Sequence, residues 1–180
     1  LKGVASPRYY DLSLTDEGQL VGYATVTNGE KQEKVLLTID DKGVSTKKFD
    51  LGSGKVINDF WFMILKGGQS VLVGLYSNTA NEFSNNFGWF MMKINTADMS
   101  ITQTSIYPFG AKVYELAKAK PEKGIANLEL VNLMELSNGD ISAVLQVRNE
   151  MYASTFSSSS TGTMSYGGSR QLIASNGLKV

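Results

Sequence analysis

The sequence predicts an all-β fold of repeated four-stranded antiparallel sheets, and three observations predict it. First, short apolar runs alternate with turns. The clearest stretch reads Asp59 to Leu65, a turn at Lys66-Gly67-Gly68, Gln69 to Tyr76, a polar loop, Phe87 to Ile94, a turn at Asn95 to Asp98, then Met99-Ser-Ile101. Short runs bounded by Gly, Asn and Asp read as strands joined by hairpins. Second, weaker copies of this unit lie on both sides of it. Third, a single stretch carries helical spacing.

The first copy spans residues 7–51. Its strands are Tyr9 to Leu14, 19–27, 34–40 and Val44 to about Phe49, with turns at Glu17-Gly18 and Asp40 to Gly43. The second spans 57–106, with strands at 57–65, 69–77 and 87–95. The third spans 125–180, with strands at 126–136 and 141–148 around Asn138-Gly139, and a later hairpin at Asn176-Gly177. Turn glycines supply positive φ, and the Asn or Asp beside them tolerates the same region. The turn glycines Gly18, Gly68 and Gly139 lie roughly 50 and then roughly 70 residues apart, as an insertion at 109–124 requires. There Val113, Leu116 and Ala117 fall at i, i+3 and i+4, so one short helix is predicted near 111–118. Ser154 to Ser169 is rich in Ser, Thr and Gly and reads as a long loop.

Alternation places Phe60, Phe62 and Ile64 on one face and Trp61, Met63 and Leu65 on the other. A sheet apolar on both faces must be covered twice, which radial stacking achieves. Blades of a β-propeller run to about 40–50 residues. The expectation is therefore a propeller-like stack of about three blades, part of a larger propeller. The alternative is a β-sandwich. Expected core residues are Phe60, Phe62, Val71, Val73, Phe90, Met92, Leu133 and Ile141. Three residues after Asn176-Gly177 make a short fourth strand. The edge of Gln171 to Ser175 is then expected to pair with Leu1 to Ser6, with another chain, or with residues beyond this sequence. A start at Leu1 further suggests that a leader or upstream segment precedes it.

The run Ile125-Ala-Asn-Leu-Glu-Leu-Val-Asn-Leu-Met-Glu-Leu-Ser-Asn-Gly-Asp-Ile141, with Arg170-Gln-Leu-Ile-Ala-Ser-Asn-Gly-Leu178, resembles large secreted or periplasmic propeller-like proteins of Bacteroidota bacteria. The resemblance covers about the last third of the chain and elsewhere only the repeat. It implies export, to the periplasm, the cell surface or beyond, and a scaffold role. It brings no catalytic residues.

Composition narrows the chemistry. The 180 residues carry 17 Lys and Arg against 17 Asp and Glu, so no excess charge draws the chain to nucleic acid. No apolar run is long enough to span a membrane as a helix. Without His or Cys, the commonest zinc ligands and general base are missing. No cofactor or metal is expected. Asp40-Asp41 and Asp16-Glu17 read as turn residues, and Gly52-Ser53-Gly54-Lys55 lacks phosphate-loop spacing and leads into a strand. No serine sits in a nucleophile elbow.

The aromatics are the most distinctive feature. Tyr10, Trp61 and Trp89 recur on corresponding strands, and Asn85 lies in an Asn-rich loop; these four are the candidate ligand contacts. Aromatic faces at a rim can stack on sugars or a peptide, while packing between sheets is their structural use. The expected function is a binding or structural module that presents loops to a protein or a glycan. The enzymatic alternative is a carbohydrate-active propeller using rim carboxylates such as Asp11 and Asp59.

Overall fold

A computed structural model describes residues 8–28, 31–66, 68–78, 85–151 and 167–178, with side chains described over 12–26, 33–66, 68–78 and 85–148. The described chain is mostly β and divides into two compact units, residues 1–109 and 110–180.

In the first unit, β1 (Arg8–Leu14), β2 (Leu20–Asn28), β3 (Lys31–Asp40) and β4 (Gly43–Lys48) form an antiparallel meander, here the first sheet. β5 (Val56–Ile64) and β6 (Gln69–Ser77) follow, then the two-residue β7 (Asn85–Asn86), β8 (Gly88–Asn95) and β9 (Ser100–Pro108). The second sheet has the order β5-β6-β8-β9. β9 runs well past the predicted Ile101. Its polar, exposed residues carry no apolar alternation, so the ladder to β8 and not sequence pattern defines it.

The second unit holds helix α1 (Ala111–Ala117), a single 3-10 turn at Pro121–Lys123, the short β10 (Ile125–Ala126), and β11 (Leu128–Glu135), β12 (Ile141–Met151) and β13 (Gly167–Leu178). α1 buries Tyr114 and stops at Lys118, which takes a left-handed conformation. The third sheet is β11-β12-β13.

One expectation fails here. Asn176-Gly177 makes no hairpin. β13 runs through it, with Ile141 opposite Leu178 and Ala143 opposite Ser175, so two residues face Ser142 alone. That is a β-bulge, the other use of a residue pair tolerant of unusual backbone angles. Most of the Ser-rich stretch and Leu1 to Ser6 lie outside the described residues.

The same five-residue hairpin recurs in the three larger sheets. Thr15, Leu65 and Leu136 donate their N–H to the carbonyls of Gln19, Gln69 and Asp140 at 2.8, 2.7 and 2.7 Å. Gly18, Gly68 and Gly139 sit at φ of +81°, +79° and +84°, where a side chain would be strained. The strand entering each hairpin also carries an irregularity, at Tyr10, Asn58 and Val131.

Each of these sheets therefore has a closing face, carrying the strand pair just before the hairpin (Leu14–Leu20, Ile64–Ser70 and Glu135–Ile141), and a reverse face. In the second sheet the closing face holds Phe60, Phe62, Leu72, Phe90, Met92 and Ile94. It packs on the reverse face of the first sheet, where Val21, Tyr23 and Leu36 meet it in one apolar cluster. The Tyr23 and Phe60 rings lie 4.5 Å apart, and Phe49 meets Phe60 edge-on at 5.5 Å. All eight expected core residues are buried.

Gly74 sits at the middle of this layer, opposite Phe60 and Phe90. A Cβ there would fall 2.6 Å from Phe60 Cβ and 2.7 Å from a Phe90 ring carbon, and would strike the Asp59 carbonyl oxygen. The backbone oxygen cannot swing aside. Gly74→Ala is expected to cost about 3 kcal/mol in denaturant unfolding, the upper part of the overpacking range. A loss under about 0.5 kcal/mol contradicts this packing.

Candidate functional site

Four hairpin turns of the first unit lie at one end of its two sheets. Their tips open into a crevice of about 560 Å³. β1–β2 contributes Glu17, Gly18 and Gln19, β3–β4 contributes Asp40, Asp41 and Lys42, and the second sheet contributes Gly68, Asn95, Thr96 and Ala97. The volume falls within the range of small-ligand sites, but the walls are polar and contain no aromatic ring.

Several lining groups are held by their own turns. Asp40 Oδ1 accepts from the N–H of Lys42 and Gly43 at 2.9 and 3.1 Å, and Asn95 Oδ1 accepts from Ala97 N–H at 3.0 Å. The Thr96 hydroxyl is buried against that of Ser70 at 2.7 Å. Beside the crevice, hydrogen bonds from the Ser100 hydroxyl and N–H lower the Asp98 pKa. The result is a rigid rim carrying three carboxylates and one ammonium, suited to a polar or basic partner.

A second polar group lies at the other end of the second sheet. Asn58 Nδ2 donates to Ser77 Oγ at 2.6 Å and to Asn86 Oδ1 at 2.9 Å, while Asn58 Oδ1 is buried without a hydrogen-bond partner. Ser77 Oγ donates to the Asn85 carbonyl at 2.5 Å. Nearby, Gly52, Ser53 and Gly54 all take positive φ, and Lys55, just before β5, has its Nζ 4.6 Å from the Tyr76 ring centroid.

Of the predicted contacts whose side chains are described, Trp61, Trp89 and Asn85 do not line the crevice. Trp61 and Trp89 share the reverse face of the second sheet, on β5 and β8 with β6 between them. Trp61 is 38% exposed. Trp89 stacks on Tyr107 of the adjacent strand, with centroids 4.0 Å apart and planes at 15°. Asn85 is partly buried on β7, its carbonyl taken by Ser77. Tyr10 is the irregular residue of β1, and its side chain lies outside the described residues. Asp11 and Asp59 each follow the irregular residue of their strand; Asp59 is partly buried, and the Asp11 side chain is outside the described residues. Among the described residues, no three acidic side chains gather as a metal site would need. No described helix is long and apolar enough to cross a membrane.

Sequence reasoning assigned the crevice residues to turns, which they are. The signal that could have found the site is the recurrence of acidic or amide residues at turns destined for the same end of neighbouring sheets. No protein-family model matches this chain, and no curated protein or solved structure shows significant similarity to it.

A third feature has a titration consequence. Glu33, Lys34, Lys48, Phe49, Asp50, Lys55 and Ile57 help to line a smaller pocket of about 280 Å³. Lys48 pairs with Glu33 at 2.6 Å, whereas Lys34 Nζ donates to the Ile57 carbonyl at 3.1 Å. Burial lowers the Lys34 pKa below the ordinary 10.5. The folded state therefore disfavours the charged amine. That cost is full below the lowered pKa and fades as pH rises towards the unfolded value. Acylation followed residue by residue in a mass spectrometer should show Lys34 reaching half its maximal rate below pH 10.5. A half-maximum at or above that pH contradicts the burial.

Proposed function

We propose that this chain is an exported binding module of propeller type, holding a protein partner at the turn crevice. The observation that carries the reading is the meeting of four hairpin tips from two consecutive sheets around one polar space. Loops on a rigid β scaffold are where binding residues concentrate. The hydrogen-bonded turns keep these tips in place, so little ordering is lost when a partner arrives.

Support for the propeller comes from the stack itself. Two four-stranded meanders run in simple order, closing face on reverse face, and a third sheet opens with the same hairpin. Support for export is the hairpin pattern that resembles exported propeller-like proteins. A protein fits the crevice better than a glycan because sugar rings stack on aromatics, and none lines it. Its acidic rim favours Lys and Arg on the partner.

The test uses random peptides displayed on phage and selected on the purified chain. Selected peptides should be enriched in Lys and Arg, and Glu17→Lys with Asp41→Lys should weaken them more than about tenfold. Peptide binding that ignores both substitutions contradicts the reading, as does glycan-array binding that survives them.

A further inference from the structure

A lysine stands at the margin of the apolar layer of the first unit. Lys34 lies two residues before Leu36 on β3, on the same reverse face of the first sheet, opposite Thr25. With it, Phe49, Leu51 and Ile57 line the smaller pocket of about 280 Å³, and all three are buried in the apolar cluster. An ammonium beside such a layer costs free energy unless a carboxylate pairs with it.

No described carboxylate pairs with Lys34. The two acidic residues of the pocket are engaged elsewhere: Glu33 meets Lys48 at 2.6 Å, and Asp50 Oδ1 accepts from the Gly52 N–H at 2.8 Å. Lys34 Nζ donates to the Ile57 carbonyl at 3.1 Å. Lys48 and Lys55 bring two more ammonium groups to the lining. Lys55 reaches Asn78 Oδ1 at 3.3 Å and the Tyr76 ring, and no described carboxylate. An arginine could hold the Ile57 carbonyl and would keep its charge, whereas a lysine in this setting can lose its proton. Desolvation and neighbouring cations are two means of making a lysine nucleophilic. Burial acts on Lys34 in that direction.

We propose that Lys34 captures a small aldehyde bearing an anionic group, as a reversible imine. The pocket is at the small end of the range for ligand sites, which limits the aldehyde to a few carbons. The neutral amine attacks the carbonyl carbon and gives a carbinolamine. The former carbonyl oxygen then leaves as water with both amine protons, and the C=N bond forms. No oxidant or reductant is needed, and water reverses the step. The anionic end of the ligand meets Lys55, whose charge no described carboxylate offsets. This pocket shares no lining residue with the turn crevice, so the inference stands apart from the partner proposed there.

Glyoxylate, the smallest aldehyde that carries a carboxylate, is the probe. The full chain is exposed to it briefly at mildly alkaline pH, and borohydride then fixes each imine as carboxymethyl-lysine. Peptide mass spectrometry locates the labelled residues. Lys34 should be labelled more than about tenfold faster than Lys112, an exposed lysine of helix α1. A lysine that serves only as a structural tether gives the opposite order, because burial slows attack. Acetaldehyde, which lacks the anion, should reduce the lead of Lys34 several-fold, and so should Lys55→Gln with glyoxylate. Labelling of Lys34 no faster than that of Lys112 overturns the proposal. A lead undiminished with acetaldehyde, or in the Lys55→Gln chain, overturns the choice of an anionic ligand.

Discussion

The packing of Phe60, Phe62, Phe90 and Met92 over Val21, Tyr23 and Leu36 is the contact on which the first unit depends. Neither sheet has another way to hide these faces. Gly74 makes the contact possible, because only a residue without a side chain leaves room for Phe60 and Phe90 on neighbouring strands. At roughly 25 cal/mol per Å² of apolar surface, each buried aromatic in this layer contributes a few kcal/mol. The surface ion pairs Lys48–Glu33, half-buried on the Glu33 side, and Lys112–Glu115, exposed, contribute much less.

The shared hairpin gives this packing a direction. Its five-residue geometry fixes which side chains reach the closing face, and so fixes the direction in which sheets stack. Because the first two sheets stack in the same sense, their turns emerge at the same end. The crevice between those tips follows from the stacking.

Much of this was legible in the sequence. Gly18, Gly68 and Gly139 located the three hairpins, and alternation in Phe60 to Ile64 located the core. Helix α1 was legible in the spacing of Val113, Leu116 and Ala117 and is present, but the residue it buries is Tyr114, while Leu116 is exposed. Asn176-Gly177 misled because the same backbone tolerance serves a bulge or a hairpin, and only the partner strand distinguishes them. Trp61 and Trp89 were conspicuous as residue types, yet they sit on a sheet face away from the crevice. The crevice itself was hidden because its lining comes from turns distant in the chain, each with a sufficient local reason for its residues.

The central claim is that the first two sheets fold as one unit through a single apolar layer. Native-state hydrogen exchange tests this most directly, since amides that open together share one opening free energy. The account predicts a common value for Val21 and Leu36 in the first sheet and Leu72 and Phe90 in the second. A first sheet whose core amides open several kcal/mol more easily than those of the second would show that the layer does not hold the two together.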